Sequence, residues 1–106
     1  MKNLKFVLLL DCYGDLLTER QKIIAELYYN EDFSLTEIAQ MQNISRQAVC
    51  DSLKHSEQFL LRTEEKLGMA ERIRHVRNCL EQILDSCQKE NFSDITELAE
   101  YGLHLL

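Results

Sequence analysis

"SLTEIAQMQNISRQAVCDSLKH", Ser34 to His55, holds two candidate helices and the turn between them. Ser34 followed by Glu37 has capping-box spacing, in which two side chains reciprocally satisfy two orphan N–H groups of a helix start. Ile38 and Ala39 then face inward on a short helix reaching to about Gln42. Asn43 is one of the few non-glycine types that tolerate a left-handed backbone, so the chain can turn sharply there. Ile44 follows as a plug into the core, and the side-chain oxygen of Ser45 caps the next helix. Ala48, Val49 and Leu53 give that helix its buried stripe, leaving Arg46, Gln47, Cys50, Asp51 and Lys54 toward solvent. Ala39 is small where the two helices cross most closely. This spacing predicts a helix-turn-helix.

Exposed positions on the second helix of such a motif are where base edges are read in the major groove. The candidate DNA contacts are therefore Ser45, Arg46, Gln47, Asp51 and Lys54, and the partner they imply is double-stranded DNA. Arginine can bridge guanine, glutamine can bridge adenine, and lysine can reach phosphate. Charge argues the other way, since the chain carries a formal net charge of -6. From Ser34 to Leu67 four basic residues stand against five acidic ones, although within residues 45–54 the balance is two to one in favour of base. Phosphate neutralisation supplies most non-specific DNA affinity. A second class thus stays open, a protein-interaction adaptor that keeps the helix-turn-helix as framework and docks its acidic helices on a ribonucleoprotein or on the transcription machinery.

Outward from the motif, the 106 residues hold no proline and only three glycines, Gly14, Gly68 and Gly102, which favours long helices and an all-α fold. Upstream, Thr18 and Gln21 repeat the capping-box spacing before Ile23, Ile24, Leu27 and Tyr28, predicting a helix to about Asn30 that stops at "NEDFS". Before it, Phe6, Leu9, Leu10, Tyr13, Leu16 and Leu17 read as one face of a short first helix, with Gly14 near its end. The run Phe6 to Leu10 is shorter than a secretory h-region, and Asp11 sits where a cleavage site wants small residues, so export and membrane insertion are not expected. The expected compartment is the cytoplasm.

Downstream, Val49, Leu53, Ser56, Leu60, Thr63 and Leu67 recur at intervals of 4, 3, 4, 3 and 4, so the second helix of the motif should continue for about 20 residues. Gly68 breaks it. Met69, Ile73, Val76, Leu80, Ile83 and Cys87 then repeat the same intervals. Two seam-bearing helices joined by one glycine fit an antiparallel hairpin, a dimer interface or an intramolecular core. Because 106 residues spread over long helices cannot bury every stripe within one chain, a homodimer is expected. Its interface is assigned to Met69, Ile73, Val76, Leu80 and Ile83. A last helix should start at Ser93 or Asp94, with Ile95, Leu98, Ala99, Leu103 and Leu106 inward. From Leu67 onward seven acidic residues outnumber four basic ones, which makes this third a solvated or protein-docking surface.

"YGDLLTERQ", "YYNEDFSLTEIAQ" and "SRQAVCDSLK" resemble the YlxM-like family of Firmicutes and Mollicutes, short helix-turn-helix proteins whose length matches this chain. Thr18 to Lys66 also looks like the fourth region of sigma-70-type factors, which reads a promoter element. The resemblance implies a sigma region four-like helix-turn-helix without a wing, a role as a DNA-binding regulator, and a contextual link to the signal recognition particle pathway. The break at Gly68 divides the chain into an expected domain over 1–67 and a helical extension over 68–106 that is expected to dimerise. Three positions depart from the family pattern. Gln42 stands where an apolar side chain is usual, with Met41 beside it able to swing inward; Cys50 replaces an aromatic, and His55 a permanent cation.

No enzyme is expected. His55, His75 and His104 are far apart and lie near no recognisable nucleophile or phosphate-cradling glycine loop. Cys12, Cys50, Cys79 and Cys87 form no CxxC pair, so neither a metal site, a cofactor nor a disulfide framework is signalled.

Overall fold

The computed structural model describes residues 2–89 and 91–106. Among them the regular structure is entirely helical: α1 (Leu4–Tyr13), a 3-10 turn (Gly14–Leu16), α2 (Glu19–Tyr29), α3 (Leu35–Gln42), α4 (Arg46–Leu67), α5 (Met69–Gln88) and α6 (Phe92–Leu105). The protein is all-α. The chain divides into two compact units, Met1–Leu67 and Gly68–Leu106.

In the first unit α4 is the spine, packed by α1, α2 and α3. Its inward line is Val49, Leu53, Ser56 and Leu60, the first four members of the 4-3 seam, and all are buried. Against them lie Leu9, Leu10 and Tyr13 from α1, Ile24, Ala25 and Tyr29 from α2, and Ile38 and Ala39 from α3. Burying such aliphatic side chains stabilises by roughly 1.5–3 kcal/mol each, offset by ordering entropy. Two tyrosines reach outward from this core to carboxylates of α4. Tyr13 donates to Glu64 at 2.6 Å, and Tyr29 donates to Glu57. Burial first, and the Glu57 carboxylate second, push the Tyr29 hydroxyl well above the usual tyrosine range.

Both capping boxes form. The Thr18 hydroxyl accepts from Gln21 N–H at 3.2 Å, and the Gln21 side chain accepts from Thr18 N–H at 3.2 Å. Ser34 and Glu37 do the same at 3.1 and 3.0 Å. The exit from α2 uses a second left-handed residue, Asp32 at φ 59, after which Phe33 N–H donates to Leu27 carbonyl at 3.0 Å. One expectation fails at the α1 exit. Leu16 is exposed and off the helix, because the 3-10 turn begins at Gly14 and rotates Leu16 outward while returning Leu17 to the core.

The second unit is the pair α5 and α6, packed on each other. Gly68 takes a left-handed conformation, φ 62, just before α5. Within the pair the buried residues are Cys79 and Ser86, and an added Cβ at Gly102 would sit 3.7 Å from the Cys79 Cβ. Small side chains therefore mark the contact line. Along the α5 seam Met69, Ile73 and Leu80 are exposed, with Val76 and Ile83 half-buried. Two expectations for α6 are corrected. On α6 the cap is Asn91, whose side chain accepts from Asp94 N–H, rather than Ser93 or Asp94. Only Ile95 and Leu98 of its expected inward set are half-buried; Ala99, Leu103 and Leu106 are exposed. The half-buried residues of α6 are Ile95, Leu98, Gly102 and Leu105, which form one line at helical intervals.

Candidate nucleic-acid interface

The turn between α3 and α4 closes by backbone hydrogen bonds. Asn43 lies at φ 56 and ψ 46, its N–H donates to Gln40 carbonyl at 3.3 Å, and Ile44 N–H donates to Ala39 carbonyl at 3.0 Å. This pairing is the Schellman motif, which satisfies the last carbonyls of α3 and aims the chain into the next helix. Ile44 is half-buried, and Ser45 starts α4 by accepting from Ala48 N–H at 3.0 Å. Ser45 therefore acts first as a cap, and its hydroxyl is engaged before any ligand arrives.

From that start α4 buries Val49 and Leu53 and exposes Arg46, Gln47, Asp51 and Lys54, with Cys50 half-buried. The expected contact residues share one stretch of surface over the first two and a half turns. Gln47 Nε2 donates to Asp51 Oδ1 at 3.0 Å, so the two side chains act as one group. The glutamine carbonyl oxygen and the second carboxylate oxygen remain as acceptors toward solvent. Among the described residues no ion pair engages Arg46 or Lys54.

The acidity of this region is partly turned inward. Of the five acids between Ser34 and Leu67, Glu57 and Glu64 accept from the two tyrosines, and Glu37 is held by Ser34. The Ser34 backbone N–H keeps the Glu37 carboxyl below the usual glutamate range. Asp51 is the acid left among the exposed contact positions.

Folding also brings up a cation that the spacing argument did not include. A groove of about 460 Å³ beside the turn is lined by Glu19, Arg20, Ile23, Gln42, Asn43 and Ile44. Arg20, exposed at the start of α2, thus lies next to the α3–α4 turn although 26 positions separate it from Arg46. No local pattern signals this; it follows from α2 packing on both α3 and α4. Gln42, not Met41, is the half-buried residue before the turn, and Met41 remains exposed.

The expected interface residues Met69, Ile73, Val76, Leu80 and Ile83 all lie on α5, and with Arg72 and Arg77 most of them line a groove of about 510 Å³ in the second unit. No helix among the described residues is long and apolar enough to cross a membrane.

Comparison with known proteins matches residues 1–100 to the model of a family described as "Putative helix-turn-helix protein, YlxM / p13 like". The chain belongs to this family. Among curated relatives it is 49% identical over 81 residues to a UPF0122 protein of Desulforamulus reducens, covering 76% of this chain and 69% of the relative. It is 45% identical over 89 residues to the UPF0122 protein of Acetivibrio thermocellus, covering 84% and 76%. A Listeria monocytogenes relative is 40% identical over 93 residues, covering 88% and 84%. The family match spans the turn, the exposed face of α4 and the whole of α5.

Proposed function

We propose that the protein is a non-enzymatic, sequence-specific DNA-binding regulator of the cytoplasm that presents its helix-turn-helix from a homodimer. The observation that carries this reading is the exposed face of α4, where Arg46, Gln47, Asp51 and Lys54 stand clear of the core behind a closed turn. Arg46 and Lys54 supply phosphate or guanine contacts, and the Gln47–Asp51 pair faces base edges. The dimer is formed through α5, with Met69, Ile73, Val76, Leu80 and Ile83 at its interface. The family resemblance adds a setting, regulation of genes of the signal recognition particle pathway.

Binding to a random duplex and to selected duplexes, followed by fluorescence anisotropy across a salt series, tests the reading. Arg46→Ala should lose about 1–3 kcal/mol. Asp51→Asn should bind more tightly at low salt, because it removes the acid among the contact positions. No binding of any duplex at about 50 mM salt, with the variants folded, would overturn it.

A second reading is favoured by the surplus of acid after Leu67 and the exposed apolar side chains of α6. In it the chain is an adaptor that docks this unit on a basic ribonucleoprotein or on the transcription machinery. Nuclease-resistant capture of one defined protein, by a chain inert toward DNA, would select it.

A further inference from the structure

The α5 seam reads the same in both directions. Met69 and Cys87, Ile73 and Ile83, and Val76 and Leu80 are three pairs each centred on Asn78. When two identical helices cross in opposite directions about a two-fold axis level with Asn78, each member of a pair lies level with the other member on the second copy. Charge inverts about the same point. Before Asn78 the helix carries Arg72, Arg74 and Arg77 against Glu71; after it come Glu81 and Asp85, with Lys89 beyond the helix end. Glu71 already pairs with Arg74 at 2.6 Å and Lys89 with Asp85 at 3.0 Å, and among the described residues no ion pair engages Arg72, Arg77 or Glu81.

We propose that a second copy of this chain seats on α5 in antiparallel orientation, with the two-fold axis level with Asn78. The proposal rests on the homodimer reading above and adds its orientation and register. A face that is its own complement under a two-fold rotation needs no other partner. Its apolar part is substantially exposed, Leu80 at 56% and the flanking Leu84 at 64%. The groove lined by Met69, Ile73, Val76 and Leu80 receives the partner's Ile83, Leu80 and Val76. Around the axis two Arg77 and two Glu81 gather as a neutral set. A parallel pair would instead set Arg72 against Arg72 and Glu81 against Glu81, whereas the antiparallel pair brings each Glu81 level with a point between the partner's Arg72 and Arg77. Like charges placed directly together are unfavourable, so charge selects the antiparallel arrangement.

Cys87 supplies a built-in probe. At 1.5 Å per residue it lies about 27 Å along α5 from position 69, so a disulfide between those positions joins two copies and never one. In the full chain carrying Cys12→Ser and Cys50→Ser, adding Met69→Cys and a mild oxidant should convert most of the protein to a covalent dimer. Peptide mapping should locate the bond between positions 69 and 87. The same chain with native Met69, or with Cys87→Ser, should stay non-covalent, since antiparallel pairing also holds the two Cys87 about 27 Å apart. A bond from Cys87 to Cys87, or from position 69 to 69, would overturn the orientation. A dimer by sedimentation with no 69–87 bond would overturn the register while leaving the homodimer reading intact. A wild-type monomer at micromolar concentration would overturn both. Positions 69 and 87 are exposed, and circular dichroism checks that each variant keeps its fold.

Discussion

Asn43 sets the geometry of the turn through its backbone. It occupies the left-handed region with its N–H engaged, so replacing it tests conformation more than contact. Asn43→Gly should leave stability near wild type or raise it slightly, whereas Asn43→Ala should cost about 1 kcal/mol, both read from urea midpoints. Ser45→Ala removes a cap and should cost about 1 kcal/mol as well, and any loss of DNA affinity must be compared with that loss of helix. Glu37 makes a pH-dependent contribution. Its carboxyl is held below the usual range by Ser34, so the carboxylate form stabilises the fold at neutral pH and that contribution is lost as pH falls through the depressed range. Glu37→Gln keeps a capping side chain without the charge. Melting temperatures should therefore fall slightly at neutral pH, and the decline on acidification should be shallower than in wild type.

Among the elements, α4 and α5 carry the same 4-3 apolar intervals and meet different fates. Leu60 of α4 is 1% exposed in the core of its unit, so Leu60→Ala should cost about 2–5 kcal/mol. Leu80 of α5 is exposed in the single chain, so Leu80→Glu should leave the fold intact and instead shift the sedimenting species toward monomer. The sequence did not separate these cases, because periodicity reports which side of a helix is apolar and is silent on what covers it. What was readable came from chemistry local to the chain. Thr18, Ser34 and Ser45 announced helix starts through their side-chain oxygens, Asn43 announced the turn, and Gly68 the break. What was missed depends on tertiary packing: Leu16 rotated out by the 3-10 turn, Leu103 and Leu106 left outside because α6 packs on α5 along the line through Gly102, and Arg20 carried to the α3–α4 turn by α2. The candidate contact face was readable residue by residue, while the pairing of Gln47 with Asp51 was not used until the helix placed them four positions apart on one side.

For the whole molecule the tension lies between the proposed recognition helix and an acidic chain. The net charge of -6 is distributed so that, among the described residues, no ion pair engages Arg46 or Lys54, while Glu57 and Glu64 are turned to tyrosines and much of the remaining acid lies beyond Leu67. Such a molecule should make few phosphate contacts per copy, so its affinity should fall only gently with salt and depend more on base readout than that of a strongly basic binder. In the proposed homodimer, two α4 helices related by a two-fold axis would read two-fold-related half-sites. The central claim is met most directly by selecting bound duplexes from a fully randomised pool with the wild-type chain and with Arg46→Ala. The account predicts enrichment of an inverted repeat by wild type and its loss in the variant. Recovery of unenriched random sequence by the folded wild-type protein at low salt would contradict it.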